Sequence, residues 1–308
     1  MIKHLLFRML STIPILIGVS ALVFFLMNVV PGDPIAIMQS NFIDPDALER
    51  VRREMHLDDP APIRYVRFLA DAARGELGYS YKLRRPVSGV IAAAFPNTIK
   101  LAVSAALVSW IIGIIAGLIS AVKPNSFVDN ALMGLALTGI SMPAFWAALV
   151  LQYIFGVVLG LLPVAGFESW RHMILPVTVL GWSEAAMVAR LTRSSLLEVM
   201  RHDYIRTARS KGLSWSSVIR IHALKNSLLP VVTIMAIQVS TLLSGSIVTE
   251  SVFGIPGIGR VAVSAINNRD MPLLQGVIMF GTFIVIIGNI VADVLYSTLD
   301  PRIKYVRE

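Results

Sequence analysis

Six stretches of this chain are almost free of charge, and they limit what it can fold into. Met9 to Gly32, Leu101 to Val122, Asn130 to Phe167, Asn226 to Thr249 and Met271 to Ala292 contain no Asp, Glu, Lys or Arg; His172 to Ala189 contains only Glu184. At about 1.5 Å per helical residue, each approaches or exceeds the roughly 30 Å needed to cross a hydrocarbon core. The composition agrees, with 56% hydrophobic and 15% charged residues among 308, which is outside the range of soluble globular domains. The expectation is an all-α membrane protein with six transmembrane helices, at 9–30, 101–122, 131–160, 173–192, 230–249 and 273–296.

A net charge of +8 would suit nucleic acid only if the basic residues were gathered on a folded surface. They lie instead in the connections. With the N-terminus inside, the inner segments hold Lys3, Arg8, Lys123, the basic run from Arg190 to Lys225, Arg302, Lys304 and Arg307, whereas the short outer loops hold only Arg171, Arg260 and Arg269. Positive charge marks the cytoplasmic side. Both termini, 1–8 and 297–308, are therefore expected inside, with 31–100 and 250–272 outside and 193–229 inside. Lys3 and Arg8 before an apolar run resemble a signal peptide. The run is too long for a signal core and lacks a small-x-small cleavage site, so it is read as a retained anchor. Cysteine is absent, which excludes disulfides, thiolate metal sites and cysteine nucleophiles.

In the outer segment, Asp44 with Pro45 behind it opens one expected helix. Pro62 to Ala73 forms a second, with Ile63, Val66 and Ala70 on one face and Gly75 ending it. These read as short helices lying on the outer face. Within the spans, Gly113 and Gly117 permit close approach of a neighbouring helix. Pro143 and Gly156 make the third interval either a kinked helix or a helix with a re-entrant piece. Glu184 is an acid at membrane depth, and Asp293 lies near the inner end of the last span. Gln238, Ser240, Thr241 and Ser244 put hydroxyls and an amide in the fifth span, where polar groups need partners or water. Glu184 and these four are the candidate pathway-lining residues.

Two segments outside the spans invite a functional reading. In "RHDYIRTARSKGLSWSSVIRIHALK", Asp203 is expected to cap one helix, Gly212 to end it and Ser214 to cap another, in which Trp215, Val218, Ile219 and His222 share a face. Its apolar face has to be buried against the membrane surface, in a groove of a partner protein, or, least in keeping with the residues, against nucleic acid. In "ESVFGIPGIGR" the glycines suggest a phosphate cradle, but a Walker loop needs a Gly-Lys pair and no lysine here follows a glycine. Phe253, Pro256 and Gly257 are read as a tight turn re-entering the outer mouth. No nucleophile triad, metal cluster or zinc motif is present, so neither catalytic nor metal residues are expected, and no enzyme.

Taken in order, "VVPGDP", "LDDP", "GELGYS", "ARLTRSS", "YIRTARSKGLSWSSVIRIHALKNSLLPVVT", "ESVFGIPGIGR", "RDMPLLQG" and "LDPRI" resemble the B-type permeases of ATP-binding-cassette importers in the dipeptide, oligopeptide, nickel and glutathione branch. Arg206, Thr207 and Ala208 stand where that family's cytoplasmic loop has EAA, Gly212 where it has glycine, and His222, Leu224 and Lys225 where it has I, L and P. The resemblance implies a type I importer permease fold in the cytoplasmic membrane of a bacterium or archaeon. The implied partners are a homologous second permease, two cytoplasmic ATPase subunits and an outer, periplasmic or lipid-anchored, substrate-binding protein. It implies no cofactor on this chain, ATP and Mg being held by the partner ATPases. Arg206, Thr207, Ala208, Gly212, Leu213 and Leu224 become coupling positions, docked on an ATPase. The implied cargo is a di- or oligopeptide, with glutathione or nickel as alternatives. A secondary transporter working alone would favour inverted repeats and charged relays, and no convincing repeat is found.

Overall fold

The computed structural model describes residues 2–29, 53, 58–80 and 82–299. The expected helix at Asp44 and Pro45, the tail from 300 and the Asp293 side chain lie outside what is described. In chain order the elements are α1 (Ile2–Val29), α2 (Ala61–Ala73), β1 (Tyr79–Ser80), β2 (Arg85–Pro86), α3 (Val87–Val122) and α4 (Phe127–Ser141). Next come α5 (Ala144–Leu151, widening into a π turn, Gln152–Val158), α6 (Trp170–Val199), α7 (Asp203–Ser210) and α8 (Trp215–Ser217). A second π turn (Val218–Ala223) joins α8 to α9 (Leu224–Leu243), and α10 (Ile247–Phe253), α11 (Ile258–Asn267) and α12 (Met271–Leu299) follow. β1 and β2 pair antiparallel, Tyr79 opposite Pro86.

Among the described residues, four continuous helical stretches are long and apolar enough to cross a membrane: Val87–Val122, Trp170–Val199, Trp215–Leu243 and Met271–Ala292. Two further pairs qualify only jointly, α4 with α5 at a bend of 106° and α10 with α11 at a bend of 83°. The first bend falls at Met142–Pro143, because proline cannot continue the preceding helix and pushes Met142 to extended backbone (ψ 130°). Three differences from the sequence reading follow from local chemistry. α3 begins at Val87, well before the expected 101, since the run from Val87 to Ile99 is uncharged and Pro96 is tolerated inside it. α9 stops at Leu243 rather than continuing to Thr249, because Gly245 takes up a left-handed φ of 109°. α8 has only three residues and merges with the fifth span, so the loop holds one separate helix and not two.

α2 forms where expected, but with a different face inward. Ile63 and Val66 are exposed, while the Tyr65 hydroxyl donates to the Ile17 carbonyl at 2.8 Å and its ring lies 5.3 Å from Phe24.

The bundle is organised around α3 and α6, the most extensively paired helices. A Cβ at Gly113 would lie 2.9 Å from the Ala185 carbonyl, and one at Gly117 would lie 2.5 Å from that of Ala189. This is the close approach expected of the GxxxG pair. Between helices surrounded by lipid the hydrophobic transfer term is small, so such backbone-to-backbone packing carries much of the association. A central core of Leu101, Ala105, Leu175, Val179, Leu180, Leu242 and Phe253 fills the bundle. Each end of α3 has its own cluster. At its start Val87, Val90, Ile91 and Ala94 meet Ile258, Ala262, Leu273 and Val277. At its finish Ala121 meets Leu196, Val199, Ile205, Ala208, Val218 and Ala223.

Candidate functional site: the basic loop, the bundle interior and the outer hairpin

The loop after α6 is built from its own apolar face inward. His202 rather than Asp203 is the N-cap of α7, and Asp203 occupies the first turn, where its charge suits the helix dipole. Ile205 and Ala208, at helical spacing, are buried with Val218 against Ala121 and Leu196 at the ends of α3 and α6. This part of the loop's apolar surface is thus covered by the chain itself. Of the expected coupling positions, Ala208 is therefore an interior residue. Leu224 is half-buried, whereas Arg206, Thr207, Gly212 and Leu213 are exposed. Gly212 has φ 81°, and a methyl group there would meet nothing within 4 Å, so glycine is required by backbone conformation alone. Ser214 caps as expected, accepting from the Ser217 N–H at 3.4 Å.

The expected shared face of Trp215, Val218, Ile219 and His222 divides. Val218 and Ile219 are buried, while Trp215 is exposed with the Arg209 guanidinium 4.8 Å above its ring. Tyr204, Leu213, Trp215 and Ile221 leave large apolar groups in the open among Arg206, Arg209, Lys211 and Arg220. Tyr204 and Ile221 were not singled out in the sequence, since only the packing of α7 shows which side remains outward.

The five pathway candidates separate in the same way. Gln238 is buried and braces three helices: its Nε2 donates to the Glu184 carbonyl at 3.0 Å, and its Oε1 accepts from Trp110 Nε1 at 3.2 Å. Ser240 is buried against Gly288 and donates to Ala236 O at 3.0 Å. Both face the interior of this subunit. Glu184 and Ser244 are half-buried and Thr241 is exposed. Ser244 also borders a cleft of about 310 Å³ with Ile247, Ile258, Ala262, Val277 and Gly281. The open faces of the two central helices differ in kind. That of α3 is wholly apolar over Val103, Leu107, Ile111 and Ile115, while that of α6 runs through Met187, Arg190, Ser194 and Glu198.

At the other end, the ESVFGIPGIGR segment folds as α10, a turn and α11, organised by a residue the sequence reading passed over. Glu250 is fully buried. Its carboxylate accepts from Thr98 Oγ1 at 2.9 Å, from the Arg260 N–H at 3.1 Å and from the Gly259 N–H. Thr98 in turn accepts from the Ile258 N–H at 2.9 Å, and Asn97 Nδ2 donates to Pro256 O at 2.9 Å. The amides that suggested a phosphate cradle are thus occupied by an internal carboxylate capping α11. A methyl at Gly257 would collide with that carboxylate. Phe253 is buried in the central core, and its carbonyl accepts from Gly166 N at 2.9 Å; Pro256 is exposed.

Two more buried acids complete the polar framework. Asp129, at the start of α4, takes a bidentate pair from Arg193 at 2.7 Å on each arm. Asp270, before α12, accepts from the Ser80 hydroxyl and, at 3.3 Å, from the Leu273 N–H. Asp270 lies outside the membrane-length helices, and burial pushes its carboxyl above the usual aspartate range, only partly offset by those two hydrogen bonds.

The chain matches the family model described as binding-protein-dependent transport system inner membrane component over residues 113–305, and the N-terminal model of the same system over residues 1–102. It belongs to that family of ATP-binding-cassette importer permeases. Among its relatives, the "Glutathione transport system permease protein GsiC" of Escherichia coli (strain K12) is 41% identical over 305 residues, covering 99% of this chain and 100% of the relative. A Brucella abortus (strain 2308) protein, provisionally named a peptide transport system permease, is 40% identical over 97% of this chain and 98% of its own. Among solved structures, the inward-facing MetNI methionine ABC transporter shares the fold, with TM-score 0.58 at 16% identity over 68% of this chain and 96% of that one. The permease is thus a multi-pass membrane protein, and its named relatives are transport subunits rather than enzymes.

Proposed function

We propose that this permease forms one half of a transmembrane pathway that takes up short peptides, glutathione among them, with a homologous permease forming the other half. The full-length likeness to a glutathione permease carries this reading, since glutathione and short peptides share charged termini and amide backbones. In this reading six segments cross the membrane, α1, α3, the bent α4–α5 pair, α6, α9 and α12, with both termini and the basic loop in the cytoplasm. The open polar stripe of α6, with Glu184, Thr241 and Ser244 beside it, faces the second permease across a wet path, because charge does not face hydrocarbon. The apolar face of α3 meets lipid.

The exposed Arg206, Thr207, Gly212 and Leu213, with Tyr204, Trp215 and Ile221, seat on an ATPase subunit that holds ATP and Mg. Ile205, Ala208 and Val218 act from below, fixing the loop to α3 and α6 so that its displacement moves both helices. The docked contact drives alternating access only if it differs in free energy between the two states.

The test is reconstitution with the second permease, the ATPases and the outer binding protein. Glutathione and dipeptides are expected to be retained by the binding protein and accumulated only with ATP. Retention of a metal complex and of neither peptide class would overturn the substrate reading. Normal ATP-driven uptake by Leu213→Asp would overturn the docking reading.

A further inference from the structure

Glu184 lies near the middle of α6, far from either end of a 30-residue helix. Among the described residues it has no ion-pair partner. Arg190, the next basic residue along the helix, contacts Met187 Sδ at 3.5 Å, and Arg193 is committed to Asp129 at 2.7 Å. The neighbouring Gln238 amide offers hydrogen bonding without charge, and is itself tied to Trp110 and to the Glu184 carbonyl. The backbone that carries Glu184 is therefore held by a buried, neutral brace, and the side chain is left half-open beside the polar stripe. An acid at this depth without a counter-ion is costly, and such residues persist where a cation or a water path meets them.

Resting on the peptide reading above, we propose that Glu184 receives the α-ammonium group of the transported solute as it passes between the two permeases. Glutathione and short peptides without basic side chains carry that one cationic group at neutral pH; their remaining polar groups are carboxylates, amides and, in glutathione, a thiol, which a carboxylate repels or only weakly attracts. Half-exposure suits the task. In partly wet surroundings the attraction is a few kcal/mol at contact and not tens, so the site draws the solute in without trapping it, as conduction requires. The Gln238 brace fixes the α6 backbone at the height of the carboxylate, so the group presents a defined position rather than a floating charge.

The test compares wild type, Glu184→Gln and Glu184→Asp in the reconstituted importer with all partner subunits, at saturating concentrations of binding protein loaded with glutathione or a dipeptide. Glu184→Gln is expected to lower the maximal ATP-dependent uptake rate on the order of tenfold, the cost of one charge-assisted hydrogen bond. Glu184→Asp retains most of the rate, and ATP hydrolysis stimulated by the loaded binding protein stays within about twofold of wild type in both. Uptake by Glu184→Gln at the wild-type rate overturns the proposal. So does loss of the second permease on copurification of Glu184→Gln with recovery in Glu184→Asp, since Glu184 would then be an intersubunit ion pair. If the wild-type assembly itself accumulates neither peptide class, the peptide reading fails and this proposal falls with it. Failure of the variant comparison alone leaves that reading standing.

Discussion

Replacing Glu250 by alanine tests a fully buried acid that accepts three hydrogen bonds. Its carboxylate satisfies Thr98 Oγ1, Gly259 N–H and Arg260 N–H in a position of zero exposure. Alanine leaves three donors without an acceptor. An unsatisfied buried group costs about 1–3 kcal/mol, so three of them cost roughly 3–9 kcal/mol, toward the lower figure if water enters the vacated space. Glutamine keeps one acceptor but turns an amide NH2 toward N–H donors, for about half that loss. At about 2 °C per kcal/mol for a chain of this size, Glu250→Ala is expected to lower the melting temperature of the detergent-purified permease by roughly 6 °C or more. A second readout localises the damage. Because the chain has no cysteine, Pro256→Cys introduces one thiol at the exposed tip of the hairpin. Its rate of maleimide labelling is expected to change in the Glu250→Ala background as the Asn97–Pro256 bond loosens. A drop of less than about 2 °C with unchanged labelling would refute the assignment of Glu250 as the latch between the hairpin and α3.

Breaking the Asp129–Arg193 pair by Asp129→Asn strands a guanidinium against α6 and is expected to cost about 3–5 kcal/mol; thermal scanning should show Asp129→Asn/Arg193→Met to be milder than Asp129→Asn alone. Ala208→Asp places a carboxylate among Ile205, Val218 and Leu196 and is expected to lower the melting temperature of the permease on its own, whereas exposed Arg206→Asp leaves it unchanged and weakens retention of the ATPase subunit. Asp270 gives a pH signature with a defined sign. Burial raises its folded-state pKa above the ordinary 3.8, so the folded protein holds this proton more tightly than the unfolded chain. Its contribution is fully present below about 3.8 and is lost as pH rises through the folded value. A melting-temperature series against pH should show this slope in wild type and lose it in Asp270→Asn.

The helices were legible because an uncharged run of twenty residues has few alternatives, whatever its periodicity. Their limits were less so. Lys100 looked like a boundary, yet α3 passes through it from Val87 because a single lysine at a helix surface is tolerable. The family loop was legible down to Gly212, whose φ of 81° only glycine adopts freely. What the loop buries was not. Val218, from the expected apolar face, joins Ile205 and Ala208 against Ala121 and Leu196, separated in sequence but adjacent at the ends of α3 and α6. Buried polar pairs were illegible for a similar reason. Asp129 and Arg193 are 64 residues apart, and Thr98 and Glu250 are 152 apart. No local pattern marks either partner, and Glu250 was hidden in a motif whose glycines drew attention first.

These pairs explain how one end of the molecule is mechanically tied to the other. α3 spans 36 residues, about 54 Å of helix. Its finish carries the loop cluster, and its start carries the hairpin through Thr98 and Asn97 together with the β1–β2 pair that leads into it. Gly113 and Gly117 seat it against the α6 backbone so closely that the two helices cannot slide past one another without separating. A displacement applied at Leu213 or Trp215 is therefore expected to reach the Glu250 latch through this closely packed helix pair rather than through the loops. The one interruption on the other route, from α9 to the hairpin, is Ser244–Ser246, where Gly245 has a left-handed φ and no helix is continuous. The hairpin is thus hydrogen-bonded to α3 through Thr98 and Asn97, while it meets α9 by the packing of Phe253 with Leu242 and by a non-helical turn at Gly245.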